Sequence, residues 1–127
     1  MIKYCESEEM YLETILLLKL EGIKVYSIRI AEKLNYSRAS VSRAVGLLAK
    51  KEYITINSDG EILFTKEGKQ KAESVYERHT VITELLMKIG ANRELAEENA
   101  CSIEHVITPE LFELLKKYVK KCDDNSK

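Results

Sequence analysis

Residues 27–65, SIRIAEKLNYSRASVSRAVGLLAKKEYITINSDGEILFT, decide the fold. Ser27 is placed to cap a short helix, IRIAEKL, and Asn35-Tyr36 forms the turn after it. A second helix starts near Ser37. It sets Val41, Val45 and Leu48 on one side, with Arg38, Ser42 and Arg43 on or near the other. Beyond it, Ile54 and Ile56 alternate with polar residues, as do Ile62 and Phe64, and Asp59-Gly60 marks a tight hairpin. Upstream, residues 6–21 (ESEEMYLETILLLKLE) repeat apolar residues at helical spacing, with acids in the first turn where the helix dipole favours them. Helix, short helix, turn, helix and two-stranded hairpin is the order of a winged helix-turn-helix. Its third helix is short enough for a DNA major groove and displays Ser37, Arg38, Ala39, Ser40, Ser42 and Arg43 as candidate DNA contacts.

Charge agrees with that reading only when it is divided along the chain. The 127 residues carry a formal net charge of -1. Between residues 24 and 53, seven bases (Lys24, Arg29, Lys33, Arg38, Arg43, Lys50, Lys51) face two acids, Glu32 and Glu52, a net of +5. The segments before and after it are acidic. A basic stretch between acidic flanks suits an element that meets a polyanion, and a solvated helix surface is the plain alternative. Apolar residues at 45% and charged residues at 32% describe a globular chain. No run approaches the roughly 18 apolar residues of a membrane span, and the first residues are too acidic for a secretory signal. Cys5, Cys101 and Cys122, odd in number and irregular in spacing, do not read as a disulfide framework. Reduced thiols and a cytoplasmic location are the expectation.

The second half reads as three further helices. Thr65 caps a long one, about 66–89, with Ala72, Val75, His79, Ile82, Leu85, Leu86 and Ile89 recurring every three or four residues. Gly90-Ala91-Asn92 breaks it. Another runs from about Arg93 to Val106 or Ile107, and Thr108 caps the last, with Pro109 at its first position. These helices carry more leucine and isoleucine than a small unit buries alone, so part of that surface is expected to meet a second copy of the chain.

Chemistry concentrates in AEENACSIEHV, residues 96–106. On a continuous helix Cys101, Glu104 and His105 fall within about 100° of one face, with Glu97 a turn earlier. Thiolate, carboxylate and imidazole are three ligand types for a divalent transition metal. An inert buried thiol beside a surface Glu-His pair explains the same residues. His79, taken alone, reads as a packed histidine, and Met10 as core, with Glu13 one turn on. There is no Ser-His-Asp arrangement, glycine-rich phosphate loop or H-E-x-x-H, so no enzymatic chemistry is expected.

Together EMYLETI, IAEKL, SRASVSRAV, LFTKEGKQKA, ERH at 77–79 and ACSIEHVITPEL resemble the diphtheria-toxin-repressor family of metal-dependent transcriptional regulators. The resemblance spans nearly the whole chain. It implies a mainly α protein: a winged helix-turn-helix DNA-binding domain over 1–71 and a helical metal-binding and dimerisation domain over 72–127. A homodimer would bind palindromic operators in double-stranded DNA and repress metal-uptake genes. Matched residue by residue, the iron branch's main site falls on Met10, Cys101, Glu104 and His105, all intact. A second site, drawn from His79, Glu97 and Glu13, is incomplete, because Thr83 stands where the iron branch has a glutamate. The manganese branch has an aspartate at the place of Met10 and a glutamate at that of Cys101. The softer pair here points to Fe(II), and also to Co(II), Ni(II) or Zn(II), ahead of Mn(II). Two other readings follow from the same residues, a manganese-responsive regulator and a helical interaction module that does not bind operators.

Overall fold

The structure is a computed structural model that describes residues 8–125. In chain order it contains α1 (Glu8–Leu20), α2 (Ser27–Leu34), α3 (Arg38–Lys50), β1 (Ile54–Ile56), β2 (Ile62–Phe64), α4 (Lys66–Lys88), α5 (Arg93–Ile103) and α6 (Pro109–Asn125). The expected mainly α fold with an N-terminal winged helix-turn-helix is present. The chain divides into two units, with the break between Ser74 and Val75 inside α4. No helix among the described residues is long and apolar enough to cross a membrane.

In the first unit, local chemistry places each helix end. Asn35 closes α2 in the left-handed region at φ 57°, which a short polar side chain tolerates, and donates its N–H to the Ala31 carbonyl. Two residues later the Ser37 hydroxyl oxygen accepts the Ser40 N–H at 3.1 Å and caps α3. The start of α2 differs by one residue from expectation. Extended Tyr26 holds the cap position with no side-chain bond, and Ser27 is the first helical residue. Leu12, Ile15, Ile30, Val41, Leu48 and Ile54 close the core, each almost wholly withdrawn from solvent. Burial of one such side chain contributes about 1.5–3 kcal/mol.

The wing is antiparallel, with Ile54 opposite Phe64 and Ile56 opposite Ile62. Its connection is longer than a two-residue turn. Residues 57–61 form it, and the Asn57 side-chain oxygen accepts the N–H groups of Asp59 (3.2 Å) and Glu61 (2.9 Å). Tyr26 donates its hydroxyl to Asp59 at 3.2 Å, tying the loop to the start of α2. Beyond the wing, Thr65 accepts the Gly68 N–H at 3.1 Å and caps α4 as expected. A methyl group on Gly68 would collide with the Tyr53 carbonyl, so only glycine lets α4 begin this close to β1.

In the second unit, Asn92 caps α5 by accepting the Leu95 N–H at 2.8 Å, and Thr108 caps α6 by accepting from Leu111 at 3.3 Å. Val75, Ile82, Ala96, Ala100, Phe112 and Val119 are buried. Ile89, counted above on the apolar side of α4, lies past its end and is 74% exposed. Leu95, Val106, Leu111, Leu114 and Tyr118 are exposed as well.

Candidate metal centre and nucleic-acid surface

The helix carrying the C-x-x-E-H stretch is shorter than its periodicity suggests. It ends at Ile103, so Glu104 is its C-cap and His105 lies in the following turn. Two causes act together. Arg78, on α4, donates its Nε–H to the Glu104 backbone carbonyl at 2.9 Å, taking an acceptor that a further helical turn would need. Downstream, Pro109 has no N–H to offer the His105 carbonyl. Glu104 keeps right-handed helical dihedrals and donates its N–H to the Ala100 carbonyl at 2.9 Å, so it stays three residues from Cys101 on the same helix end, with His105 in the turn beyond.

Glu104, at this helix end, faces the interior. Its side chain is fully buried, with Oε2 3.1 Å from His79 Nδ1 and Oε1 3.4 Å from His105 Nε2. Glu104 Oε1 has no hydrogen-bond partner. A buried carboxylate is costly unless it is paired and fully hydrogen-bonded, and a neutral imidazole offers it at most one N–H and no balancing charge. A divalent cation removes that cost, because carboxylate oxygen and imidazole nitrogen are ordinary ligands for one. The donor set fits a metal ion.

The remaining predicted ligands differ in setting. Met10 is buried on α1, where its sulfur accepts the Tyr36 hydroxyl at 3.8 Å and its carbonyl accepts the Thr14 hydroxyl at 2.9 Å. Glu13, one turn on, is buried too. Glu97 is exposed and pairs with Arg93 at 3.8 Å, so the structure does not gather it with the other second-site candidates. Cys101 contradicts the expectation of reduced thiols. It is disulfide-bonded, and a disulfide sulfur offers no thiolate to a metal. Cys122 is in no disulfide, and Cys5 lies outside the described residues. Thr83 is buried, and its hydroxyl makes no hydrogen bond. Arg78 was not singled out from sequence. Its position beside His79 was the available clue.

The candidate DNA surface is on α3. Ser37, Arg38, Ala39, Ser42 and Arg43 are exposed, and Ser40 is half-buried, held by the Ser37 hydroxyl at 2.9 Å. The structure also refines the charge count. Arg29 pairs with Glu32, Lys33 with Glu21, and Lys51 with Glu8 at 2.5 Å. Lys24, Arg38, Arg43 and Lys50 have no ion-pair partner among the described residues. Two of these four stand on the first turns of α3, where an approaching phosphate or base edge would meet them.

Fold and cluster together define a winged-helix protein with a candidate metal centre. Residues 3–61 match the family description "Iron dependent repressor, N-terminal DNA binding domain", and residues 65–127 match "Iron dependent repressor, metal binding and dimerisation domain". The chain belongs to the iron-dependent repressor family. It is 35% identical over 107 residues to the diphtheria toxin repressor of Corynebacterium jeikeium, covering 84% of this chain and 45% of that one. The chain thus spans about half the length of the curated repressors it matches. An uncharacterised HTH-type transcriptional regulator of Methanocaldococcus jannaschii is 28% identical, covering 94% of this chain and 97% of its own. Among solved structures, the manganese regulator SloR superposes with a TM-score of 0.81 at 29% identity, over 90% of this chain and 54% of that one.

Proposed function

We propose that this chain is a metal-dependent transcriptional repressor that binds palindromic operators of metal-uptake genes as a homodimer, with Fe(II) as its effector. The observation that carries this reading is Glu104, a buried carboxylate between two imidazoles with one oxygen left without a hydrogen bond. Membership of a family described as iron-dependent repressors supports it, as does the free positive charge of Arg38 and Arg43 on α3. The apolar side chains exposed on α5 and α6 support a second copy as their cover.

Glu104 and His105, with Met10 and reduced Cys101, would hold the ion, and His79, 3.1 Å from Glu104, with Glu13 would serve a second site. The ion supplies positive charge that satisfies the buried carboxylate. Binding of the ion would favour the state of the protein whose recognition helices match the operator. The shift can be no larger than the difference in metal affinity between states.

The disulfide at Cys101 gives weight to a second reading. With that sulfur withdrawn, Glu13, His79, Glu104 and His105 offer oxygen and nitrogen only, a set that suits Mn(II). Paired anaerobic titrations with Fe(II) and Mn(II) separate the two, using reduced wild type and the Met10→Asp, Cys101→Glu double variant, with DNA binding as readout. Wild type should respond at lower Fe(II) than Mn(II), and the variant should shift toward Mn(II). A wild type tuned to Mn(II) establishes the manganese reading, and an unchanged order in the variant removes these two residues from metal selection.

A further inference from the structure

Three threonines lie within the described helices, and two of them behave alike. Thr14 donates its hydroxyl to the Met10 carbonyl and Thr80 to the Tyr76 carbonyl, each four residues back and each at 2.9 Å. This is the usual way for a helical threonine to satisfy its hydroxyl. Thr83 departs from it. Its side chain is 95% buried by exposure (5% accessible), yet Oγ1 makes no hydrogen bond of any kind. A buried hydroxyl without a partner opposes folding, and valine would fill the same space without that cost. The hydroxyl also lies on the His79 side of α4, one turn further along, and His79 is the residue that bonds buried Glu104.

We propose that the Thr83 hydroxyl is the acceptor for a water molecule coordinated to the ion held by His79 and Glu104, so that one coordination position in this centre is an aqua ligand. The inference rests on the metal reading above. A glutamate at this position would offer its own oxygen to the ion. Threonine is too short to do so and would instead offer its oxygen as an acceptor to a water in that place. Water bound to a divalent cation is a strong donor, and its hydrogen bond would satisfy the oxygen that the apo fold leaves without a partner. Thr83 is then a positioning residue, acting on the ion through the water.

The experiment uses the full reduced chain, with Mn(II) as probe, comparing wild type, Thr83→Val and Thr83→Ser. Affinity is read from the free Mn(II) electron paramagnetic resonance signal, and the aqua ligand from enhancement of water-proton relaxation by bound Mn(II). Thr83→Val should bind Mn(II) about 10- to 100-fold more weakly, the usual cost of losing an outer-sphere partner. Its relaxation enhancement per bound ion should change, its apo melting temperature should equal or exceed that of wild type, and Thr83→Ser should restore both metal readouts. Wild-type affinity and relaxation in Thr83→Val would overturn the inference and leave the metal centre standing. A lower apo melting temperature in Thr83→Val would overturn it by making the hydroxyl structural. A wild type that takes up no Mn(II) would remove both this inference and the metal reading.

Discussion

The two units treat polar groups in opposite ways. In the winged unit most are satisfied locally and near the surface, buried Glu13 and Thr14 apart: Ser37 caps α3, Asn57 organises the wing loop, and Glu8 receives both Lys51 and Lys71. In the helical unit they are buried and left partly unsatisfied, at Glu104 and Thr83. A unit whose polar groups are already paired is a finished scaffold, and its function lies in the side chains it leaves free. A unit that buries an incompletely paired carboxylate carries a cost that a ligand can remove. The second unit is therefore expected to depend on what it binds, and the first to supply the surface that the bound state uses.

Glu104→Gln should break that contrast most sharply. It keeps the volume and removes the buried charge, so metal affinity should fall by more than the roughly 100-fold seen for outer-sphere losses. The apo protein should melt at the wild-type temperature or above it, because a buried charge without full compensation has been removed. Thermal melts with and without metal check both points. If Glu104→Gln lost apo stability and kept its metal affinity, Glu104 would belong to the fold and not to a ligand site.

Arg43→Ala examines the other half of the comparison. Arg43 makes no ion pair among the described residues, so its removal should leave melting unchanged. Specific DNA affinity should drop by about 1–3 kcal/mol if the guanidinium meets a base edge. If it meets a phosphate, the salt dependence should flatten by about one unit instead. Titrations of one duplex at several salt concentrations distinguish these from no effect, which would take Arg43 out of the interface.

The smallest effect belongs to the scaffold itself. The hydrogen bond from Lys51 holds the Glu8 carboxyl below its ordinary value, with burial opposing and the positive charges of Lys51 and Lys71 assisting. A carboxyl lowered by folding stabilises the fold above its unfolded pKa, and that contribution disappears as pH falls through the folded value. Wild type should exceed Glu8→Gln by under about 1 kcal/mol at neutral pH, as expected for a partly exposed pair. The margin should begin to shrink as pH falls through the ordinary glutamate value of about 4.3 and vanish below the lowered folded value. Melts of both proteins across that range provide the check, and a margin that persisted in acid would exclude the ion pair as its source.

What could be read from sequence was what local chemistry decides. Thr65 and Thr108 cap their helices because a side chain reaches a backbone N–H three residues on, and the strand residues alternate because the pleat does. What could not be read depends on residues distant in the chain. No glycine or proline stops α5 before Pro109, so its pattern runs on past Ile103. The stop involves Arg78, 26 residues upstream of the carbonyl it bonds. The same distance hides the neighbours of Glu104, since nothing in ERH or SIEHV says that two imidazoles converge on one carboxylate. The disulfide state of Cys101 was invisible for a related reason, because spacing along a chain does not give separation in space. Met10 and Glu13 were legible as a buried helix face, and their ligand role came only from resemblance.

The central claim is that metal binding in the helical unit governs DNA affinity in the winged unit. The most direct measurement is the affinity of reduced, anaerobic protein for a duplex selected from a random pool by the metal-loaded form, followed by fluorescence anisotropy at fixed salt. Fe(II) is present first, then removed by a chelator, then restored. The account predicts that affinity falls by at least about tenfold on removal, a coupling of about 1.4 kcal/mol, and recovers on restoration. Equal affinity in all three states would contradict it, whatever the metal affinity of the protein.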